Sequence, residues 1–211
     1  MTQITRETID KIHSLLDQGL VCGLGQPVPG QMCVEAAINY ALGRPHGDDP
    51  GCVAPSLRQL KIRLNDSNWS SNAARAEGMR RLAIAQLGSK DVLDEALFAR
   101  KCALSVAHLW EMPDTVRQYL ETGDESIRLA ERDAARYAAD AAARAADADA
   151  VYAAVYAAAA AAAAADAAAD AAADAADAAR ADAASDKVLS DFAESIVQIL
   201  IEMKAPGVQW L

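Results

Sequence analysis

The sequence lacks helix-breaking residues over a long stretch, because neither Gly nor Pro occurs between Gly123 and Pro206. Residues 134–184 within this stretch consist almost wholly of Ala and Asp, including an unbroken Ala run at 157–165. Ala has the highest intrinsic helix propensity, so this Ala/Asp tract is predicted to be helical rather than a disordered spacer. Carboxylates are then the main groups that it presents to a partner.

Large side chains are also scarce, with two Phe, three Trp and five Tyr among 211 residues. Residues 150–165 carry no charge, but this stretch is shorter than the roughly 17–25 residues of a membrane span and Asp166 follows at once, so no membrane partner is expected. The tract contains no Thr, whereas Ala-rich ice-binding helices usually present a repeating Thr face. The N-terminal residues lack the cationic and apolar parts of a secretory signal, which predicts a cytoplasmic protein with reduced cysteines.

No segment alternates with a period of two residues for long enough to predict a strand, so the fold class is predicted to be all-α. We expect a multi-helical N-terminal domain over residues 1–112 and an acidic Ala-rich helical region over 113–211 that packs on it. Thr5 is placed to cap a first helix ending near Gly19, and a second helix is predicted from Met32 to Leu42. Irregular Gly/Pro loops follow both helices.

Further cap signals predict three helices in the second part of the N-terminal domain. Ser56 with Gln59 matches a capping box, and Ser71 is placed to cap a helix that ends near Gly88. Ser89 or Asp91 is predicted to open the next helix, which runs toward Trp110. Pro113 interrupts it, and Asp114 is predicted to cap a short helix ending at Gly123.

From Asp124 onward an uninterrupted helix of about eighty residues would form a rod of roughly 120 Å, which is too long for a compact domain. Residues 147–149 and 182–186 offer Asp and Ser for a turn, and the second position is favoured. Beyond it, apolar residues recur at helical spacing and predict a C-terminal amphipathic core helix. They are Val188, Leu189, Phe192, Ile196, Ile199, Leu200 and Met203.

The negative charge belongs to the C-terminal half. Residues 1–90 contain ten Lys and Arg and eight Asp and Glu, a net charge of +2, whereas residues 91–211 contain ten and twenty-two, a net charge of −12. A field of this sign repels nucleic acid and anionic membranes and attracts basic protein surfaces. The expected partner is therefore a basic protein, with no direct contact to nucleic acid.

Four aspartates of the tract share one helix face. At 100° per residue Asp166, Asp170, Asp174 and Asp177 lie within an arc of about 80°. Like charges at i, i+4 destabilise a helix slightly, so helix stability does not explain this spacing. We call these four residues the Asp stripe.

The Asp stripe has two interpretations. It solubilises an Ala-rich helix, or it mimics the phosphates that a basic groove binds. Eight acids lie between residues 147 and 186, which would span about 60 Å as a straight helix, so the spacing is roughly 7.5 Å per charge. Duplex DNA carries one charge per about 1.7 Å, so a mimic needs acids from neighbouring helices as well. Glu111, Asp114, Glu121, Asp124 and Glu125 are available for this. The candidate partner-binding residues are Asp166, Asp170, Asp174, Asp177, Asp147, Asp140 and Glu131.

Two other sets of residues suggest chemistry. Cys33 lies at a predicted helix N-terminus, a position that lowers a thiol pKa and superficially resembles the nucleophile helix of papain-like peptidases. Cys22, Cys33, His46 and Cys52 contain the donors of a Cys₃His zinc site, but no C-x-x-C pair. A buried core thiol explains Cys33 more simply, and Cys102 is likewise expected in the core, so no catalytic residue, metal or cofactor is predicted.

A basic set in the N-terminal half is interpreted as solvated helix faces, or as internal partners of the acidic half, rather than as a nucleic-acid patch. Its members are Arg58, Lys61, Arg63, Arg75, Arg80 and Arg81.

The stretches QMCVEAAINYALGRPHGDDPGCVAP and KIRLNDSNWSSNAARAEGMRRLAIAQLGS resemble a set of bacterial and phage or mobile-element proteins that join this module to a variable Ala-rich tail. The resemblance covers roughly residues 20–90 and extends to the C-terminal KAPGVQWL. It implies a role like that of small acidic anti-CRISPR inhibitors of type I effector complexes, and it assigns no functional residue. The sequence therefore favours a non-enzymatic inhibitor with an acidic, DNA-mimicking surface, and the alternatives are a structural interaction module or a hydrolase using Cys33.

Overall fold

The computed structural model describes residues 4–109, 112–124, 126–127 and 182–211. Within these ranges the chain forms α-helices and two short 3₁₀ helices, with no strand and one isolated bridge between Gly25 and Met32, which confirms the all-α prediction. The α-helices are α1 (Arg6–Leu16), α2 (Val34–Ala41), α3 (Pro55–Asp66), α4 (Asn72–Ala85), α5 (Glu95–Ser105), α6 (Asp114–Thr122) and α7 (Asp182–Glu202), and the 3₁₀ helices are Ala107–Leu109 and Pro206–Trp210. The predicted Ala-rich helices lie outside the described residues.

Three of the predicted helix ends are confirmed by their hydrogen bonds or backbone conformation. The Thr5 hydroxyl accepts a bond from the Thr8 amide at 3.2 Å, and the Ser71 hydroxyl accepts one from the Ala74 amide at 3.1 Å. Each bond satisfies one of the free amides of a helix N-terminus. Gly123 ends α6 in the left-handed conformation, with φ at 72°, which Gly adopts without a steric cost.

Three other predicted helix starts are wrong. Helix α3 begins at Pro55, a favoured first residue, and Ser56 is buried inside the helix, where its amide donates to Glu95 instead. Helix α5 is capped by Asp94 rather than by Ser89 or Asp91, because the Ser89 hydroxyl is buried and already accepts from the Ala54 amide. Asp114 is the first residue of α6, not its cap.

Two predicted boundaries shift by a few residues. Helix α1 ends at Leu16, and Gly19 lies in the turn that follows. Helix α2 begins at Val34, after Cys33, rather than at Met32, because residues 24–26 and 31–33 pair their backbones and keep Met32 extended. The loop between α1 and α2 is therefore held by its own hydrogen bonds.

Helix α7 is the core helix that the apolar pattern predicts. It packs on α4 and α5, and most of its apolar side chains are buried in the same hydrophobic cluster as those of α1 to α6. The buried residues of α7 are Leu189, Phe192, Ala193, Ile196, Val197, Ile199 and Leu200. This cluster contains side chains from both sides of the proposed boundary at residue 112, and the division into two domains stays a prediction.

Polar contacts fix the first turns of α7 against the chain that precedes α4. The Ser70 amide donates to the Asp186 carboxylate at 2.8 Å, and the Ser70 hydroxyl donates to the same carboxylate. Arg81 pairs with Glu194, and Lys101 pairs with Glu202 at 2.6 Å. Asp186 thus lies within α7, so the described residues contain no helix break at 186, and the chain before 182 lies outside them.

Helix α4 is closely packed on its neighbours at Gly78, in the middle of the helix. A Cβ at this position would lie 2.3 Å from the Trp69 ring and 2.7 Å from the Ser190 hydroxyl of α7. The Trp69 ring cannot move away easily, because it is buried and its indole nitrogen donates to the Leu64 carbonyl at 2.8 Å. Glycine is therefore required here, although it lowers helix propensity.

We expect Gly78→Ala to lower the free energy of unfolding by about 1–3 kcal/mol, because overpacking outweighs the gain in helix propensity of up to about 1 kcal/mol. The matched control is Gly47→Ala, since a Cβ at Gly47 meets nothing closer than 3.9 Å. Urea denaturation followed by circular dichroism measures both variants. Equal stability of the two variants would contradict the assigned packing.

Candidate functional site

The candidate partner-binding residues lie outside the described part of the chain. They are Glu131, Asp140, Asp147, Asp166, Asp170, Asp174 and Asp177. Of the acids expected to extend their surface, Asp114, Glu121 and Asp124 are exposed on and after α6, whereas Glu111 and Glu125 also lie outside the described residues. Convergence of these acids on one surface stays a prediction.

The most unusual chemical feature of the described residues is a buried ion pair between α2 and α3. The Lys61 ammonium lies 3.1 Å from a carboxylate oxygen of Glu35, and both side chains are 0% exposed. Neither Glu35 oxygen nor the Lys61 nitrogen has a well-aligned hydrogen bond within the described ranges. The pair is therefore held mainly by charge attraction at a fully buried position, where that attraction is strong but desolvation is costly.

Local structure places Glu35 in the first turn of a short helix whose start is well determined. Cys33 caps α2, and its sulfur accepts from the Ala36 amide at 3.4 Å. The Asn65 side chain accepts from the Val34 amide at 3.2 Å and donates to the Val21 carbonyl at 3.0 Å. These bonds tie the start of α2 to the end of α3 and so hold Glu35 opposite Lys61.

The loop of residues 43–54, which we call the 43–54 loop, crosses the same region. Asn39 of α2 donates to the Gly47 carbonyl at 2.7 Å, and Arg58 of α3 donates to the Asp48 carbonyl at 2.8 Å. Asp48 and Arg58 also form an ion pair at 3.3 Å, and both act electrostatically on Glu35. The loop therefore bridges the two helices that carry the buried pair.

Burial dominates the titration of the pair. Desolvation raises the pKa of Glu35 above its ordinary value, and the attraction of Lys61 opposes this shift only in part. Desolvation likewise lowers the pKa of Lys61, against the opposing effect of Glu35. The pair would be more stable electrostatically if it were hydrated, so exclusion of water must be maintained by the packing around it.

The interpretation of Cys33 as an activated thiol is wrong in its electrostatics. Cys33 does lie at a helix N-terminus, and two amides lower its pKa, but burial has the larger effect and the net shift is upward. Burial also raises the pKa of Cys52, and raises that of Cys102 well above its ordinary value. A raised pKa disfavours the thiolate form that nucleophilic catalysis requires.

The proposed Cys₃His zinc set is not brought together. Among the described residues, which include Cys22, Cys33, His46 and Cys52, no group of three or more His, Cys, Asp or Glu side chains is placed to hold a metal ion. The His46 ring nitrogen instead lies 3.2 Å from the Gly25 carbonyl, and all four cysteines are free thiols.

The basic set is not a continuous patch. Lys61 is buried in the ion pair, and Arg75 is buried with its guanidinium donating to the carbonyls of Asn65 and Leu20. Arg80 pairs with Asp17 and Glu77. Together with Arg58 and Arg81, which also pair with carboxylates, most of these cations serve internal contacts.

Comparison with protein-family models, with curated proteins and with solved structures gives no match for this chain. Within the described ranges no helix is long and apolar enough to cross a membrane. The sequence signal that could have revealed the buried pair is the position of Lys61. It shares a helix face with Leu57, Leu60 and Leu64 at i, i+3, i+4 and i+7 spacing, which is the pattern of a buried stripe.

A double-mutant cycle measures the energetic role of the pair. We expect Glu35→Leu and Lys61→Met each to lower the free energy of unfolding by about 3–5 kcal/mol, because each leaves one buried charge alone. The double variant is expected to regain most of this loss, since it leaves no buried charge. Urea denaturation of the original protein, the two single variants and the double variant gives the coupling free energy between Glu35 and Lys61. If the losses of the two single variants simply added in the double variant, the contact would be contradicted.

The two single variants are also expected to differ in pH dependence. In Lys61→Met the lone Glu35 has a folded-state pKa above its unfolded value, so the folded protein holds this proton more tightly. The loss of unfolding free energy relative to the original protein is therefore smallest at about pH 4 and grows as pH rises through the folded-state pKa. In Glu35→Leu the lone Lys61 has a lowered folded-state pKa, so the loss of unfolding free energy caused by this substitution shrinks as pH rises toward about 10. Parallel pH profiles in urea denaturation would refute this assignment.

Proposed function

We propose that this protein is a non-enzymatic inhibitor whose acidic helical surface binds the basic nucleic-acid groove of a host defence protein. The single observation that carries the proposal is the Asp stripe, four carboxylates at i, i+4 and i+3 spacing in a tract that otherwise offers little but Ala methyl groups. Such a spacing costs helix stability, so a contact with cations is a reason for it. The proposed site of action is the cytoplasm of the host cell.

The distribution of charge supports a basic partner. The C-terminal half carries a net charge of −12, and the cations Arg81 and Lys101 already pair with Glu194 and Glu202 in the described fold. The exposed acids of α6, Asp114 and Glu121, lie in the same half of the chain and extend the set of carboxylates available to a groove. Long-range attraction of this sign accelerates association with a basic surface and weakens with salt.

The target class is proposed from the sequence resemblance. The module at residues 20–90 with its Ala-rich tail resembles proteins of bacteria and mobile elements, and small acidic proteins of such elements inhibit type I CRISPR effector complexes. A DNA-binding groove rich in Lys and Arg is the chemistry that the Asp stripe would recognise. A type I effector complex is therefore the first target to test.

The test is competition with DNA. A purified type I effector complex is bound to a fluorescent target duplex, and displacement by this protein is followed by anisotropy at low and high salt. We expect displacement that weakens as salt rises. We also expect an about 100-fold loss of apparent affinity, or roughly 0.7 kcal/mol for each charge, in the quadruple variant Asp166→Asn, Asp170→Asn, Asp174→Asn, Asp177→Asn.

The matched control removes the same amount of charge elsewhere. Glu7, Asp10, Glu77 and Asp91 are exposed acids of the helical core, and changing them to their amides also takes the formal charge from −10 to −6. This control is expected to retain most of its affinity, because position rather than net charge determines the contact. Undiminished displacement by the Asp-stripe variant would refute the proposed surface.

The alternative is a structural or interaction module in which the Asp stripe only keeps an Ala-rich helix soluble. One observation favours this alternative: α7 packs on α4 and α5, so the described residues form a well-packed helical core without the tract. This alternative predicts that association with any partner is insensitive to salt and to the four Asp→Asn changes. The same salt series distinguishes the two functions.

A further inference from the structure

The 43–54 loop is held by polar contacts rather than by apolar burial. From Gly43 to Cys52 only Pro50 is buried, and the other residues are exposed or half-buried. Gly43 and Gly51 lie near its two ends with φ at 68° and 65°, a left-handed conformation that favours glycine. A segment with few buried apolar contacts belongs to the least stable part of a fold.

The groups near this loop have an unusually large desolvation cost. The Glu35 and Lys61 charges are fully buried without an aligned hydrogen bond, and the buried oxygens of Asn39 and Ser56 also lack one within the described ranges. Two thiols, Cys33 and Cys52, lie close enough to act electrostatically on Lys61. Hydration of these groups would recover free energy that the closed loop forgoes.

We propose that the 43–54 loop opens as a local unit, without global unfolding, and exposes the Glu35–Lys61 pair and the Cys33 and Cys52 thiols to water. The closed state is held by the bonds from Asn39 to Gly47 and from Arg58 to Asp48 and by the contact of the His46 ring with the Gly25 carbonyl. At the carboxyl end, the Lys90 amide donates to the Cys52 carbonyl at 3.2 Å. The carboxyl end of the loop stays fixed, because Val53 and Ala54 are buried and the Ala54 amide donates to Ser89 at 3.0 Å. Opening is therefore confined to the part of the loop before Val53, where Asp48 lies close enough to act electrostatically on Glu35.

The four cysteines provide reporters within one chain. Cys33 is 5% exposed beside the loop, whereas Cys102 is 0% exposed in α5 and reports only on global unfolding. Full-length variants that retain a single cysteine are alkylated with iodoacetamide under native conditions over a urea series. We expect Cys33 and Cys52 to react at least about tenfold faster than Cys102, with a much weaker dependence on urea.

Two variants move the opening in opposite directions. Arg58→Ala removes the hydrogen bond and the ion pair to Asp48, and it is expected to accelerate alkylation of Cys33 and Cys52 about tenfold while Cys102 changes little. The double variant Glu35→Leu, Lys61→Met removes the charges that opening would hydrate, and it is expected to slow alkylation of Cys33 about tenfold.

The matched control is Arg80→Ala. Like Arg58, Arg80 forms a surface ion pair, and its side chain is 26% exposed, against 23% for Arg58. Its partners are Asp17 and Glu77, which lie outside the 43–54 loop. It is expected to leave the alkylation rate of Cys33 unchanged. Alkylation of Cys33 with the same rate and urea dependence as Cys102, or an equal response to Arg58→Ala and Arg80→Ala, would overturn the proposal.

Discussion

The fold depends on the close packing of α7 against α4. At Gly78 there is no room for a side chain, because the Trp69 ring and Ser190 approach the α4 backbone directly. Asp186 fixes the same end of α7 to Ser70, so a polar contact determines the register in which the apolar residues of α7 enter the core. A helix from the last thirty residues therefore completes a cluster begun by α1.

The contact between α2 and α3 follows a different principle. Here a charge pair without an aligned hydrogen bond occupies a position where an apolar pair would pack at lower cost. The surrounding structure compensates with directional bonds from Asn39, Asn65 and Arg58, which fix the backbone around the pair. The contact between α2 and α3 is therefore geometrically specific but less stable than an apolar contact would be, as is common for polar groups in a protein core.

The sequence predicts the fold class, most helices and the core role of α7, because these follow from periodicity and breakers that act locally. The helix start at Ser56 is wrong because Pro55 already begins α3. The one at Ser89 is wrong because its hydroxyl accepts from the distant Ala54 amide. The favoured prediction that Cys33 is a buried core thiol is confirmed, and burial raises its pKa although a helix N-terminus alone would lower it. Lys61 could have been recognised from its apolar neighbours at helical spacing, but its partner Glu35 could not, since no local rule pairs two helices.

Internal ion pairs also determine how the molecule presents its charge. Each pair, such as Arg80 with Asp17 or Lys101 with Glu202, removes one cation and one anion together and therefore leaves the formal charge of −10 unchanged. Close to the surface, the positive charge of each paired cation is largely offset by its neighbouring carboxylate, so it repels a basic partner only weakly. At longer range the negative field persists until salt screens it. The helical core can therefore be held together by ion pairs and still attract a basic partner.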